Sequence, residues 1–288
     1  MRRLPVLLLA SAALLGLLPA HADASLLSPT TAPSATRSWT LGGAPCDLIP
    51  TKVATAAPVG AAESCPGVRP GAIVNSFVGQ CTLNFLFTDP AGNRYIGTAG
   101  HCALEAPAVG GQAGEHSWAP GAGPVATDVD GNRIGTWVYA ILQDPKDFSL
   151  IRIDPGVQSS PQMCHFGGPT GINSDTPGID DPTTLEIFGN GIGVGTVLPA
   201  RSMVALGMPD PDHVYAQGVV VPGDSGSGVI SADGRAIGVA VTTGIHTSSF
   251  GTSGLDAGEV GITRLAPQLA RAETVLGISL SLATAPTL

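Results

Sequence analysis

Glycine and proline interrupt this chain so often that long helices are excluded from most of it: its 288 residues include 39 glycines and 25 prolines. Both residues disfavour the interior of a helix. Between them lie short apolar or β-branched runs, and turn sequences at 89–93, 130–132 and 233–234 join such runs into hairpins. This pattern predicts an all-β fold, a barrel or a sandwich, rather than alternating βα units. Apolar residues at helical spacing predict a single helix at 265–276.

The first 22 residues have the features of a secretory signal. Arg2 and Arg3 precede an apolar run at 4–18, and the sequence AHA at 20–22 has the small-x-small pattern that signal peptidase accepts. The run is too short for a typical membrane span, and no later segment has the roughly 20 apolar residues that a span needs. We therefore expect cleavage after Ala22, secretion, and no membrane association of the mature protein.

Charge and cysteine content restrict the partners. The formal net charge is −9, and loss of the two arginines in the signal makes it more negative. Nucleic acid is not an expected partner, because no cluster of Lys or Arg offsets repulsion by the phosphates. Five cysteines in an exported chain favour disulfides over a metal site, and the odd number leaves at least one unpaired or bonded to another chain. We expect a monomer without cofactor or metal.

The composition changes along the chain and divides it into segments. A stretch rich in Ala, Pro, Ser and Thr without strand or helix periodicity predicts an irregular arm or pro-segment. A second stretch, rich in Pro, Gly and Ser, separates two strand-rich halves. The predicted segments are the arm at 23–70, the domain at 71–277 with halves at about 71–158 and 184–264 and a connector at 159–183, and a tail at 278–288.

Two other patterns have simpler explanations than the sites they resemble. The sequence DVDG at 128–131 has the start of a calcium loop, but the remaining ligand positions and the final Glu are missing, so a hairpin turn is predicted. Glycines occupy every second position from Gly189 to Gly195 without the spacing or βαβ context of a dinucleotide-binding loop. They indicate a loop or a kinked strand.

Three segments carry groups suited to peptide-bond hydrolysis. GDSGSG at 223–228 places Ser225 in a glycine-rich turn, TAGHC at 98–102 ends an apolar strand with His101, and DFSLIRI at 147–153 begins another apolar strand with Asp147. Amide hydrolysis by this route needs a nucleophile, a base, an acid that orients the base, and donors for the oxyanion. Each segment alone has a common structural explanation, and their combination is what points to catalysis.

In this order, His then Asp then Ser, the segments resemble those of the chymotrypsin-like serine proteases, in particular the secreted bacterial branch, over about residues 72–277. The resemblance implies two six-stranded antiparallel Greek-key barrels followed by a C-terminal helix. It also implies that Ser225 is the nucleophile, His101 the base and Asp147 its partner, with the backbone N–H groups of Gly223 and Ser225 as the oxyanion hole. The resemblance also implies that the substrates are proteins or peptides.

Other assignments fit these residues less well. An α/β-hydrolase elbow requires glycine where Ser227 stands and a catalytic histidine after the nucleophile, and neither His213 nor His246 has a recognisable catalytic context. Asp144 competes for the acid role but is out of step with the apolar strand that follows Asp147. An esterase-like hydrolase, or a catalytically silent secreted binding protein on the same fold, remains an alternative.

The resemblance further implies how the cysteines pair and how the chain is activated. It favours a Cys81–Cys102 disulfide around the His101 loop and, less strongly, Cys65–Cys164, which would leave Cys46 unpaired. Animal enzymes of the family release an Ile-Val-Gly-Gly terminus whose amine pairs with the aspartate before the nucleophile. That motif is missing here, so Asp224 needs another partner.

Specificity is also inferred from the resemblance. It places Val219 at the base of the primary pocket and Gly244 and Gly261 at its walls, which predicts cleavage after apolar residues because a basic side chain would meet no counter-charge. If the alignment slips by one or two positions, the residues that enter the pocket are Asp256, Glu259 or His246.

Overall fold

The computed structural model describes residues 65–104, 114–143, 145–174, 183–192, 194, 198–243 and 258–288. No helix in these ranges is both long enough and apolar enough to cross a membrane. The sequence predictions that lie outside the described residues concern the signal at 1–22, the arm up to residue 64, and Cys46, Asp144, Gly193, Gly195, Gly244, His246 and Asp256.

Strands dominate the described residues, as the short apolar runs predict. Long strands such as the eleven-residue RIGTWVYAILQ are rich in β-branched and aromatic side chains, which pack well on a pleated sheet. In chain order the strands are β1 Ile73–Ser76, β2 Gly79–Thr82, β3 Leu86–Thr88, β4 Arg94–Thr98, β5 Gly114–Ser117, β6 Val125–Thr127, β7 Arg133–Gln143, β8 Lys146–Ile153, β9 Gly171–Ile172, β10 Thr184–Phe188, β11 Ala200–Asp210, β12 His213–Gln217, β13 Gly228–Ser231, β14 Arg235–Thr243, β15 Glu259–Arg264 and β16 Ser281–Leu282.

The three predicted hairpins are confirmed. Antiparallel pairs form between β3 and β4, between β6 and β7, and between β13 and β14. In the DVDG segment, the Asp128 carboxylate accepts the backbone N–H of Asp130 at 3.0 Å and that of Asn132 at 2.8 Å. The segment is therefore a turn closed by its own aspartate, which is the structure that we predicted for it.

The strands form two sheets, and the all-β fold with two barrel-like halves is confirmed. The second sheet closes into a six-stranded barrel in the order β10-β11-β12-β15-β14-β13, because β13 also pairs with β10, and β9 adds to β14 in parallel. The first sheet is a curled sheet of nine strands in the order β16-β3-β4-β8-β7-β6-β1-β2, with β5 on β7. Among the described residues no pairing joins its two ends, so β2 is an edge strand.

Each sheet has an apolar core. The first core contains the aromatic side chains of Phe85, Trp137 and Phe148, all fully buried, and continues under the C-terminal helix. The second barrel is filled by alternate residues of its strands, as expected where one face of each strand is buried. These inward-facing residues are Leu185, Ile187, Met203, Ala205, Val214, Ala216, Val229, Ile237, Ala240, Val260 and Ile262.

The predicted C-terminal helix is confirmed as α1, Leu265–Leu276. Pro267 lies in its first turn, where the missing N–H costs nothing. The helix ends at Gly277, which has a left-handed φ of 65° and donates its N–H to the carbonyl of Glu273. Residues after the helix are ordered as well: β16 pairs with β3, and Leu288 N–H donates to the carbonyl of Phe166.

Candidate active site

His101 lies in the turn that follows β4, and a glycine brings this turn against the neighbouring strands. A Cβ atom on Gly100 would lie 1.8 Å from the Ile141 carbonyl oxygen and 3.0 Å from the Phe148 nitrogen. Only glycine therefore permits this close approach. As a consequence, the residue after Gly100 lies beside the start of β8, where Asp147 is located.

Asp147 holds His101 with both carboxylate oxygens. Its Oδ2 lies 2.7 Å from Nδ1 of the imidazole, and its Oδ1 accepts the His101 backbone N–H at 2.9 Å. A carboxylate only accepts hydrogen bonds, so Nδ1 carries the proton and Nε2 of the neutral ring is left with a free lone pair. The ring is thus fixed in the orientation and tautomer that a general base needs.

The pKa of His101 is raised above its ordinary value of 6.5. Burial by itself lowers this pKa, because it disfavours the charged ring. The negative charge of Asp147 and the hydrogen bond to it act in the opposite direction and outweigh burial. The site therefore favours the imidazolium that forms when His101 takes up a proton.

Ser225 belongs to the second barrel, but its loop packs against the first sheet. Its carbonyl accepts the N–H of Thr82 at 2.8 Å. The next residue, Gly226, has a φ of 91°, and a Cβ there would lie 2.1 Å from Thr98 Oγ1. The loop that carries Ser225 thus packs between β2 and the end of β4 at Thr98, three residues before His101.

A disulfide lies between the two halves of the site. Cys81 and Cys102 are bonded, as the resemblance implied, and Cys65 is bonded to Cys164. A ring nitrogen of His101 and the two sulfurs of the first pair all lie within 4.8 Å of one another, and Cys102 Sγ is 4.0 Å from the Ser225 carbonyl oxygen. Because these sulfurs are bonded to each other, the group is a packing contact between the His101 and Ser225 loops rather than a set of metal ligands.

No hydrogen bond joins Ser225 Oγ to His101 in the described residues. Ser225 is partly exposed, as is the imidazole, whose side chain is 23% exposed. In enzymes without substrate this contact is often long and shortens when substrate binds. Each group is therefore partly open to solvent, and the Ser225 loop approaches Cys102, the residue that follows His101.

The predicted oxyanion donors belong to a loop whose other N–H groups are occupied. Within it Asp224, Gly226 and Ser227 donate to the carbonyls of Val221, Ala240 and Asp224. The N–H groups of Gly223 and Ser225 donate to no described residue. Gly223 has a φ of 100° and its carbonyl accepts from Thr82 Oγ1 at 2.8 Å, which fixes the backbone in a conformation that favours glycine. Two N–H groups thus remain available for a developing negative charge.

The partner of Asp224 is Arg201, a residue that the sequence analysis did not identify. Arg201 Nη2 lies 2.6 Å from Asp224 Oδ1 and Nη1 lies 2.8 Å from Oδ2, a bidentate pair. The Asp224 carboxylate also accepts the N–H of Gly191 at 2.7 Å and that of Val221 at 2.9 Å. Asp224, which precedes Ser225, is therefore fully buried and fully paired without a new N-terminal amine.

Two of the alternating glycines make room for this ion pair. A Cβ on Gly189 would lie 2.2 Å from Asp224 Oδ1 and 2.6 Å from Arg201 Nη2, and one on Gly191 would lie 2.5 Å from Asp224 Oδ2. The spacing of these glycines was a signal of a buried group between alternate residues. Arg201 itself is a lone cation in an apolar stretch, which is a weaker signal.

The residues assigned to the primary specificity pocket are only partly described. Val219 follows β12 in the loop before Ser225, its side chain is 53% exposed, and its carbonyl accepts from Arg201 Nη1 at 3.1 Å. Gly261 lies inside β15, paired with Tyr215 and Thr242. Of the alternatives, Glu259 lines a hollow on the outer side of the second barrel beside Tyr215. Their role in a pocket stays a prediction.

Similar folds occur among solved serine proteases. A glutamic acid-specific serine protease that uses a histidine triad in substrate binding is 15% identical, with 74% of this chain and 100% of that chain covered and a TM-score of 0.48. Protease A of Thermobifida fusca is also 15% identical, with 76% and 100% covered and a TM-score of 0.48. For Cellulomonas bogoriensis chymotrypsin the values are 16%, 75%, 99% and 0.47. At these values the likeness transfers no residue role to this chain.

No protein-family model matches the sequence, and no curated relative matches it either.

Proposed function

We propose that this protein is a serine endopeptidase that hydrolyses peptide bonds through an acyl-enzyme intermediate. The observation that carries the proposal is the double contact of Asp147 with His101, which leaves Nε2 of the ring as a base in a turn whose next residue, Cys102, contacts the Ser225 loop. A purely structural histidine would not require its second nitrogen to be left free in a turn that packs against a glycine-rich serine loop.

Each group has a role in this mechanism. Ser225 Oγ attacks the carbonyl carbon of the substrate while His101 Nε2 accepts its proton, and the N–H groups of Gly223 and Ser225 stabilise the oxyanion. The C–N bond then breaks as the imidazolium passes the proton to the leaving amine. Water repeats the sequence on the acyl-enzyme and regenerates Ser225. Asp147 orients the ring and stabilises the imidazolium.

The Arg201–Asp224 pair also supports this proposal, because it holds the backbone of the Ser225 loop. Asp224 binds the backbone at Gly191 and Val221 as well as Arg201, so it fixes the loop on which both oxyanion donors lie. Such donors contribute to catalysis only if they are held in place before substrate arrives.

The finer details of substrate and location are part of the proposal. Val219 offers no counter-charge to a basic side chain, so we propose cleavage of protein or peptide substrates after apolar residues, with Gly244 and Gly261 at the pocket walls. We also propose that the protein is secreted as a monomer after cleavage behind Ala22. The mature protein in a culture supernatant would then begin at Asp23 or, if the arm is also removed, at a later residue.

A serine-directed fluorophosphonate probe tests the proposed function without knowledge of the substrate. It should label the wild-type protein and fail to label Ser225→Ala. Ser227→Ala is the matched control, because Ser227 lies two residues away, is fully buried, and its hydroxyl has no partner among the described residues. Labelling of Ser225→Ala at the wild-type rate would remove Ser225 as the nucleophile.

The same experiment decides the competing function, a catalytically silent binding protein. That alternative is favoured by one observation, the missing hydrogen bond between Ser225 Oγ and His101. A silent protein would not react with the probe at all, whereas the peptidase would be labelled at a rate that depends on His101.

A further inference from the structure

The start of β8, which carries Asp147, is bound to the second barrel. Lys146 Nζ lies 3.3 Å from Oδ2 of Asp212, which is in the turn between β11 and β12. The carbonyl of Pro145 accepts the hydroxyl of Thr263 on β15 at 3.4 Å. The two residues that directly precede Asp147 in the chain are therefore both attached to the second barrel.

Asp212 is itself held in place by the second barrel and by helix α1. Its other carboxylate oxygen, Oδ1, accepts Nε2 of Gln268 on α1 at 2.8 Å, and its carbonyl accepts the N–H of Arg264 at 2.7 Å. Its own N–H donates to Oδ1 of Asp210 at 2.8 Å, which closes the turn. Gln268 is fully buried, and its Oε1 has no partner among the described residues, so the bond to Asp212 holds its amide. A fixed carboxylate thus faces Lys146.

Lys146 can act on the reacting groups only through the backbone. Successive side chains of a strand point to opposite faces of the sheet, so Lys146 points away from the face on which Asp147 contacts His101. Its ion pair with Asp212 therefore fixes the start of β8 without touching the base itself. Any effect on the reaction must come from where β8 places the Asp147–His101 pair.

The separation of Ser225 and His101 depends on how the first sheet and the second barrel are placed, because His101 belongs to the first and Ser225 to the second. One attachment lies at the serine, where Thr82 on β2 bonds the backbone of Gly223 and Ser225. This attachment alone would let the first sheet pivot about the serine loop. The ion pair of Lys146 beside the partner of the base opposes such a pivot.

We propose that Asp212 is a positioning residue, which acts through Lys146 to align the base with Ser225. This inference rests on the proposed peptidase function and adds to it a residue of the second barrel. The two side chains of the pair are 30% and 19% exposed. A partly exposed ion pair contributes little to stability, so its loss should be visible in catalysis rather than in unfolding.

The Asp212→Asn variant tests this with a peptide 4-nitroanilide that has an apolar residue before the cut. Asparagine keeps an oxygen for Gln268 and removes the charge that binds Lys146. We expect kcat to fall about tenfold with KM unchanged, because a small displacement of the base slows the reaction while the Ser225 loop stays intact. The pH midpoint of kcat/KM should not move, since Asp147 still contacts His101. Fluorophosphonate labelling should slow by the same factor, which gives a second readout for a wild type that does not cleave the chosen peptide.

Variants of the partner show whether the pair acts as a unit. Lys146→Met should lower kcat as much as Asp212→Asn, and the double variant should lose no more than either single variant. Lys146→Arg keeps the cation and should stay within about twofold of the wild type. Asp154→Asn is the matched control, because it removes the ion pair with Arg133 at 2.7 Å just beyond the other end of β8. It should keep the wild-type kcat, and its urea midpoint should be close to that of Asp212→Asn.

Four results would overturn the inference: wild-type rates in Asp212→Asn, a loss of about a hundredfold in the double variant, a loss in Asp154→Asn equal to that in Asp212→Asn, or a shifted pH midpoint. The last would mean that Asp212 acts on the base through its charge instead of through its position. If the wild type reacts with neither the nitroanilide nor the fluorophosphonate, the proposed function fails and the inference fails with it. If the wild type reacts and Asp212→Asn reacts equally fast, only the inference fails.

Discussion

Two aspartates hold the two halves of the candidate site, and their surroundings differ. Asp147 binds His101 at a surface where the side chains are 11% and 23% exposed, whereas Asp224 binds Arg201 in the interior, where they are 0% and 4% exposed. The first partner can lose its proton, but a guanidinium cannot. In the proposed mechanism, the pair that changes its charge keeps some contact with solvent, while the pair that holds the backbone of the Ser225 loop is closed off from water.

The largest effect is expected from removing the proposed reacting side chain of each half, His101 in the first and Ser225 in the second. Ser225→Ala and His101→Ala should each lower the turnover of a peptide substrate by roughly 10⁴ to 10⁶, because triad members act as a unit. Both variants should retain the wild-type circular dichroism, since neither side chain is part of a core. Wild-type-like turnover in either variant would exclude the proposed mechanism.

The Arg201→Met substitution tests the second half by removing the cation of the Arg201–Asp224 pair. The variant leaves the Asp224 carboxylate buried without its cation, which should lower the free energy of unfolding by about 3 to 5 kcal/mol. Peptidase activity should fall as well, because the loops at Gly191 and Val221 lose their common anchor.

Arg133→Met is the matched control for that experiment. Arg133 also pairs with an aspartate, Asp154, at 2.7 Å, but the two side chains are 49% and 33% exposed. An exposed pair of this kind contributes about 0 to 1 kcal/mol, so urea denaturation should separate the two variants clearly. Equal losses of stability would contradict the distinction between the buried and the exposed pair.

The sequence predicts the features that depend on nearby residues. The hairpins and the C-terminal helix follow from local turn chemistry and periodicity, and the segments of His101, Asp147 and Ser225 are recognisable as short motifs. The Arg201–Asp224 pair depends instead on β11, which approaches the Ser225 loop only because the second barrel closes. Nothing near Arg201 in the sequence indicates that partner, although Gly189 and Gly191 indicate that something lies between them.

The position of the C-terminal tail could not be predicted from the sequence either. Residues 281–282 form β16 on β3, although so short a strand has no alternation that a sequence could reveal. Its position is determined by a partner almost 200 residues away in the chain.

The third prediction concerns the disulfide that ends next to His101 and its contribution to stability. Replacing both members of the Cys81–Cys102 disulfide with alanine opens a loop with a sequence separation of 21. In the chain-entropy model this lowers the free energy of unfolding by about 3 kcal/mol. Cys46→Ala is the control, because Cys46 is predicted to be unpaired. If the double variant is as stable as the wild type, the disulfide does not anchor this half in the way that Arg201 anchors the other.

The smallest expected effect is a change of pKa, and it tests why the His101 pair lies at the surface. Burial lowers the pKa of His101, but Asp147 raises it more, so the imidazole should titrate above 6.5. Asp147→Asn removes the raising charge and leaves the burial, so the pKa should fall below 6.5. NMR titration of the ring in Ser225→Ala, with and without Asp147→Asn, measures both values without self-digestion.

Because the pKa of His101 is raised, the pH dependence of both stability and activity can be predicted. A pKa raised by folding means that the protonated ring is stabilised in the native state, so its contribution to stability is complete below about pH 6.5 and is lost as the pH rises through the native pKa. Activity runs the other way, because only the neutral ring can accept the proton of Ser225, and kcat/KM should rise through that same pKa. If the ring of His101 titrates at the same pH with and without Asp147→Asn, the charge of Asp147 does not control the base, and the two ion pairs differ in burial alone.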